Sequence, residues 1–180
     1  GSFGTAVAVH AARAGHRARL WVRRAEAGAE IVEHGENRRY LPGVEHPEGR
    51  EDTTNLARLA DCAPVVVAAP SHGYREVLRD FLRARGSRSR LIVVSATKGI
   101  EGETLARMSQ VSAEECARAG IEQRFAAFSG PTFAAELARG VPSAAVVACE
   151  EEDVAAELRE ALASPTLRLY SSTDVVGVEL

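Results

Sequence analysis

One lysine, Lys98, stands in a chain whose other basic side chains are all arginine: Lys and Arg together number 22, and the remaining 21 are arginine. A lysine ammonium is a compact point charge with three donors, suited to gripping a single oxygen, whereas arginine offers a wide planar fork. Lys98 follows LIVVSAT and precedes Gly99, so it is expected to project from the end of a buried strand. The chemistry available there is stabilisation of charge on a carbonyl or hydroxyl oxygen. Taken without neighbours, the same residue reads as an ordinary surface lysine.

Three other segments carry residues that suit an anionic cofactor or a carbonyl substrate. GSFGT, residues 1 to 5, supplies Gly1 and Gly4, the last two glycines of a G-x-G-x-x-G pattern opening a helix. There the backbone approaches a pyrophosphate at the helix N-terminus. By itself this pair equally describes a plain helix start. Arg23, in WVRR, lies 19 residues past Gly4, near the spacing of about 20 at which a ribose contact follows the glycine turn. An acidic residue there would accept from the ribose hydroxyls of NAD. The forks of Arg23 and Arg24 instead match a 2′-phosphate, so NADP is the expected cofactor, with NAD as the alternative. Two solvated strand-end arginines are the competing reading. SGPTF, residues 129 to 133, sets Gly130 and Thr132 just before a helix, with Pro131 as an early helical residue. Free backbone N–H groups at such a start can hold an oxyanion or a substrate hydroxyl, and a routine capped helix is the alternative. His72, in PSH, reads as structural or as a cofactor neighbour. No G-x-S-x-G elbow appears, which argues against a hydrolase.

The elements that must position these residues alternate between strand-length apolar runs and amphipathic helix-length segments, the pattern of a parallel sheet covered by helices. A helix is expected over residues 5 to 15, a strand over 17 to 24, a helix over 25 to 34 and a Pro/Gly-punctuated loop over 37 to 49. A short helix near 54 to 61 leads to the buried strand PVVVAAP and the helix SHGYREVLRDFLRA, with Tyr74, Val77, Leu78, Phe81 and Leu82 on one face. LIVVSA is the next strand, followed by a helix over 103 to 118. Then come FAAFSG, helix TFAAELARG, strand SAAVVAC, helix DVAAELREALA and strand LRLYSS, and a new segment opens near Asp174. In an open parallel sheet ligands bind beyond the carboxyl ends of the strands, where GSFGT, WVRR, SATKG and FSGPTF all fall. The expected fold is α/β: a doubly wound, mostly parallel Rossmann-type sheet. Residues 1–173 are read as the NAD(P)-binding domain and 174–180 as the start of a helical C-terminal domain. The start at Gly1 without a methionine, the missing first strand and the break at Leu180 lead us to expect further chain on both sides.

Composition bounds the class. With 46% hydrophobic and 26% charged residues, the chain reads as an ordinary globular protein. A net charge of -3 gives no support for nucleic-acid binding. Cys62, Cys116 and Cys149 are odd in number and lack CxxC spacing, which predicts a reducing compartment with neither disulfide framework nor zinc site. No apolar run reaches the roughly 18 residues needed to span a bilayer, and no leader precedes the first helix. The expected localisation is cytoplasmic, without membrane partners and with a homodimer as the oligomeric form.

Taken together, GSFGT, LWVRR, NRRYLPG, PSH, SATKGIE, SGPTFAAE and DVVGVEL closely resemble, in that order, the bacterial type of NAD(P)-dependent glycerol-3-phosphate dehydrogenase. NRRYLPG with ATKG and SGPTFA is the specific combination. The resemblance implies that Ser2 and Phe3 line the cofactor pyrophosphate beside Gly1 and Gly4. It matches Arg23 and Arg24 to the adenine-ribose end, and Tyr40 and Ala134 to further cofactor contacts. Lys98 matches a catalytic residue shared by cofactor and substrate, and Gly130 and Thr132 match substrate contacts. No metal is implied. The implied reaction passes hydride between the nicotinamide and C2 of dihydroxyacetone phosphate, giving sn-glycerol 3-phosphate for phospholipid synthesis. In that family VGVEL continues into GG-x-x-KN, whose lysine is the proton donor and acceptor, so the 180 residues alone are expected to turn over little or not at all. The rival readings are a ketopantoate or hydroxyacid reductase of the same fold, and a non-catalytic dinucleotide-binding module.

Overall fold

The computed structural model of the protein describes residues 1–45, 47–86 and 90–180, apart from the side chains of residues 25, 27 and 32. In chain order the elements are α1 (Ser2–Arg13), β1 (Ala18–Trp21), α2 (Ala25–His34), β2 (Arg50–Thr53), a 3-10 turn at Leu56–Leu59, β3 (Val65–Val67) and α3 (Ser71–Arg85). There follow β4 (Arg90–Ser95), α4 (Met108–Arg118), β5 (Glu122–Ser129), α5 (Ala134–Arg139), β6 (Ser143–Cys149), α6 (Glu152–Leu162), β7 (Leu167–Ser172) and α7 (Val175–Glu179).

The main sheet has five strands in the order β3-β4-β5-β6-β7, parallel except where β6 runs antiparallel to β5. β1 and β2 pair in parallel as a separate two-stranded sheet. Successive strand side chains point to opposite faces, and this sorts the apolar runs into two cores. Val94, Ala126, Phe128, Val147 and Leu169 face α1, α5 and α6. On the other face Val93, Leu91 and Val67 pack against α3 and α4, where Tyr74, Leu78, Phe81, Met108 and Val111 lie. Further along that second face Val175 of α7 packs on Ala127 and Ala148. Helices thus cover both faces of a mostly parallel sheet, which is the doubly wound α/β architecture.

α1 is built from small residues, and Ala6, Val9 and Ala12 are all buried. Its polar residues close the ends of its neighbours. His10 Nε2 lies 2.7 Å from Leu162 O at the last turn of α6, and Arg13 donates to Ala138 O in α5. Carbonyls at a helix C-terminus lack intrahelical partners, so these contacts satisfy groups that burial would otherwise strand.

Two elements differ from the sequence expectation. β2, the stretch REDT, is a strand that its polar residues do not announce. Arg50 and Asp52 are almost fully buried and pair through Nη2 and Oδ2 at 2.9 Å, which lets charged side chains occupy an interior position. The helix expected over 103 to 118 begins at Met108. Its would-be first turn is diverted where Leu105 adopts a positive φ of 59° and Thr104 Oγ1 bonds Glu101. The new helix is tied to the end of the chain: the carboxylate of Glu179 accepts from Ser109 N at 2.7 Å, Ser109 Oγ at 2.6 Å and Arg107 Nη1 at 2.8 Å. Among the described residues no helix is long and apolar enough to cross a membrane.

Candidate active site

The loops after the parallel strands β3, β4 and β5 leave the same edge of the sheet and meet the start of α1. Together they enclose a cleft of about 350 Å³, lined by Gly1 to Phe3, Ala68 to Pro70, Ala96 to Lys98, Phe128 to Gly130, and Thr132. The Phe3 and Phe128 rings pack at a centroid separation of 6.1 Å. They give the cleft an apolar wall beside its polar mouth.

Lys98 reaches across the cleft, its Nζ donating to Gly130 O at 3.3 Å. Among the described residues no carboxylate pairs with it. The ammonium therefore keeps donors for another oxygen. Gly99 follows with a φ of 91°, a conformation that side chains disfavour, and its turn brings the chain past Ser71 at the start of α3. Thr97 joins the two loops, its Oγ1 donating to Ala69 O at 2.7 Å while Ala96 N donates to Val67 O at 2.9 Å. Gly130 is required by a close approach: a Cβ there would lie 2.8 Å from Ala145 Cα and 2.9 Å from Ala144 O. Thr132 is buried beside it.

The N-terminus of α1 has no side-chain cap and no acidic residue in its first turn, so its leading N–H groups and dipole are available to an anion. A Cβ on Gly1 would meet nothing within 4 Å. Gly4 lies deeper, where a Cβ would sit 3.4 Å from Ala68. These features fit a pyrophosphate. Behind them Thr5 Oγ1 donates to Gly1 O at 2.9 Å and accepts from Asn37 Nδ2 at 2.8 Å. Buried Asn37 thereby anchors the NRRYLPG loop to α1.

The remaining candidates lie outside the cleft lining. Arg23 is exposed and its Nη2 is 3.0 Å from Glu76 Oε2 on α3. Arg24 is the exposed residue preceding α2. Tyr40 is 39% exposed, with the Arg39 guanidinium 5.5 Å above its ring. Ala134 opens α5 and packs partly against the core. His72 is exposed in the first turn of α3. Sequence reasoning missed Thr97 and Asn37, whose work is to tie loops together, and the ion-pair group of Arg75, Arg79, Glu101 and Glu115. Only the i to i+4 spacing of Arg75 and Arg79 on one helix hinted at the last.

In that group hydrogen bonds from Arg75 and then Thr104 hold the Glu101 carboxyl down at about 2, against an ordinary 4.5. Glu115 is likewise held at about 2, chiefly by Arg79, against the opposing pull of burial. Burial pushes the Cys116 thiol up to about 11 and also raises Cys149. All three cysteines are unpaired.

The family model for the NAD-dependent glycerol-3-phosphate dehydrogenase N-terminus matches residues 1–155. A protein of Thioalkalivibrio sulfidiphilus named glycerol-3-phosphate dehydrogenase [NAD(P)+] is 42% identical over the whole chain and is covered over 53% of its own length. One of the same name from Hydrogenovibrio crunogenus is 39% identical, with 52% of it covered. The crystal structure of a glycerol-3-phosphate dehydrogenase from Coxiella burnetii superposes with a TM-score of 0.89 at 30% identity, over 99% of this chain and 53% of that one. A ketopantoate reductase from Ralstonia eutropha, at 17% identity and a TM-score of 0.65, shares the fold. The chain spans about half the length of the curated relatives it matches. On the extent of the family match and these identities, it belongs to the NAD-dependent glycerol-3-phosphate dehydrogenase N-terminus family.

Proposed function

We propose that this chain is the cofactor-binding part of an oxidoreductase that interconverts dihydroxyacetone phosphate and sn-glycerol 3-phosphate with NAD(P)H, serving glycerophospholipid synthesis. The observation that carries the reading is the Lys98 ammonium, 3.3 Å from Gly130 O, in a cleft that also holds the uncapped start of α1. A small cation and an anion-binding helix start share one groove, which suits a pyrophosphate-bearing cofactor next to a carbonyl substrate.

In this proposal the N–H groups of Ser2, Phe3 and Gly4, beside Gly1, hold the pyrophosphate. Arg23 and Arg24 receive a 2′-phosphate, favouring NADP over NAD, and Tyr40 and Ala134 add further contacts. A pair as exposed as Arg23 and Glu76 is weak, so a phosphate can take Glu76's place. The nicotinamide supplies the hydride when bound. Lys98 stabilises the negative charge that gathers on the C2 oxygen, and the Gly130 carbonyl keeps the ammonium turned towards it. Gly130 and Thr132 hold the substrate. Residues 1–173 form the cofactor domain and 174–180 open a helical one, and the 180 residues alone, whose one lysine is Lys98, turn over little or nothing. Unpaired cysteines favour the cytoplasm, and a homodimer completes the proposal, with sedimentation of the purified protein to decide it.

Two measurements test it. Titration of the chain with NADPH and NADH, followed by nicotinamide fluorescence, is expected to show saturable binding with NADPH the tighter. The full-length enzyme is expected to oxidise NADPH with dihydroxyacetone phosphate but not with ketopantoate. Binding of neither nucleotide, or reduction of the carboxylate substrate in place of the phosphate ester, would overturn the reading.

A further inference from the structure

We infer that Arg75 and Glu101 are positioning residues for Lys98, holding the loop that carries it; the inference rests on the dehydrogenase reading above. Lys98 sits on the segment 96–107, which connects β4 to α4 without a helix or strand of its own. A side chain with four rotatable bonds on such a segment is placed only as well as its backbone is. On the near side Thr97 fixes the backbone to the loop after β3. On the far side the fixing group is Glu101, three residues beyond Lys98.

The Glu101 carboxylate takes both prongs of Arg75: Oε1 from Nε at 2.7 Å and Oε2 from Nη2 at 2.7 Å. This bidentate geometry sets direction as well as distance. Both side chains are largely withdrawn from solvent, at 18% and 13% exposure, so water screens the pair less than it would at the surface. Arg75 is itself held from behind, its Nη1 donating to Glu114 at 2.6 Å and Glu115 at 2.9 Å on α4. Glu101 also closes its own turn, since its N donates to Ala106 O at 2.9 Å and its O accepts from Leu105 N at 2.8 Å. Neither Arg75 nor Glu101 lines the cleft, so they act on the site through the loop that carries Lys98.

The test uses the full-length dehydrogenase, with NADPH oxidation by dihydroxyacetone phosphate as the assay. Glu101→Gln keeps the shape but loses the charge and one acceptor. It is expected to lower kcat/KM for the substrate about 10- to 100-fold, the size expected when a reacting group is displaced by a fraction of an ångström. The loss should fall on kcat, with KM for NADPH unchanged within about twofold. Arg75→Lys, which cannot present two prongs, is expected to do the same, and the double variant to be no worse than either single one. Glu122→Gln removes a carboxylate that pairs with Arg90 at the amino ends of β5 and β4, away from the loop, and is expected to leave the kinetics unchanged. A folded Glu101→Gln enzyme with wild-type kcat/KM would overturn the inference, as would equal losses in Glu101→Gln and Glu122→Gln. Should Glu101→Gln fail to fold, Glu101→Asp replaces it: partial loss restored by no change in NADPH concentration supports the inference, and wild-type turnover overturns it. A wild-type enzyme that reduces no dihydroxyacetone phosphate overturns the dehydrogenase reading itself, and this inference with it, a result told apart by the wild type's own inactivity.

Discussion

In the proposed site Lys98 and Gly130 act as a pair, one by its charge and the other by having no side chain. A guanidinium at position 98 would keep the charge but present a planar fork where one oxygen has to be gripped. Lys98→Arg in the full-length enzyme is therefore expected to lower kcat by about 10² or more, the scale of losing an aligned charge-stabilising donor; unchanged turnover would remove Lys98 from the chemistry. At Gly130 a methyl group would press on the backbone of Ala144 and Ala145, which belong to β6 and cannot turn aside. Gly130→Ala is expected to cost about 1–3 kcal/mol of stability, read as a lowered urea midpoint, and to shift the carbonyl that accepts from Lys98. At the other end of the proposed cofactor, removing Arg23 and Arg24 together is expected to weaken NADPH binding about tenfold while NADH binding stays nearly constant. Equal weakening of both nucleotides would deny these arginines a role in the choice.

Among the elements, α3 holds the Lys98 loop through Arg75 and Glu101, and α7 holds the start of α4. α4 begins without a side-chain cap from its own N-cap residue, and the Glu179 carboxylate, 5% exposed, takes over by bonding Ser109 N and Oγ and Arg107. Glu179→Ala removes a cap and strands these donors. Its expected cost is about 1–3 kcal/mol by thermal or urea denaturation, and a change under about 0.5 kcal/mol would show the contact to be incidental. The strands and helices with strong apolar periodicity, such as LIVVSA and the helix bearing Tyr74 and Leu78, are legible from the sequence because burial selects their residues. β2 is not legible that way, since REDT is admitted to the interior by the mutual pairing of Arg50 and Asp52. Nor is the late start of α4, because Glu101 is drawn towards an arginine on another helix.

At the scale of the whole molecule, the ion-pair group of Arg75, Arg79, Glu101 and Glu115 joins α3 and α4 to the Lys98 loop. Both carboxyls have folded values near 2, below the ordinary 4.5. Groups depressed in the folded state contribute stability that is present above pH 4.5 and is lost as pH falls through about 2. The urea midpoint is expected to fall between pH 4.5 and 2, and Glu115→Gln to flatten that fall while lowering stability at neutral pH. A Glu115→Gln profile parallel to that of the wild type would deny the group its part in acid stability.

The sequence by itself determined the α/β class, the sites of most elements and the residues worth watching, because apolar period and glycine and proline punctuation are local properties of the chain. Tertiary structure decided which of those residues meet. Gly1, Lys98 and Gly130 are far apart in the text and share one cleft, whereas Arg23, Arg24 and Tyr40 stand outside its lining. That sorting depends on how parallel strands order themselves and where their carboxyl ends emerge. It also depends on partners such as Arg75 and Glu101, 26 residues apart in the chain, whose meeting is set by packing between helices and loops.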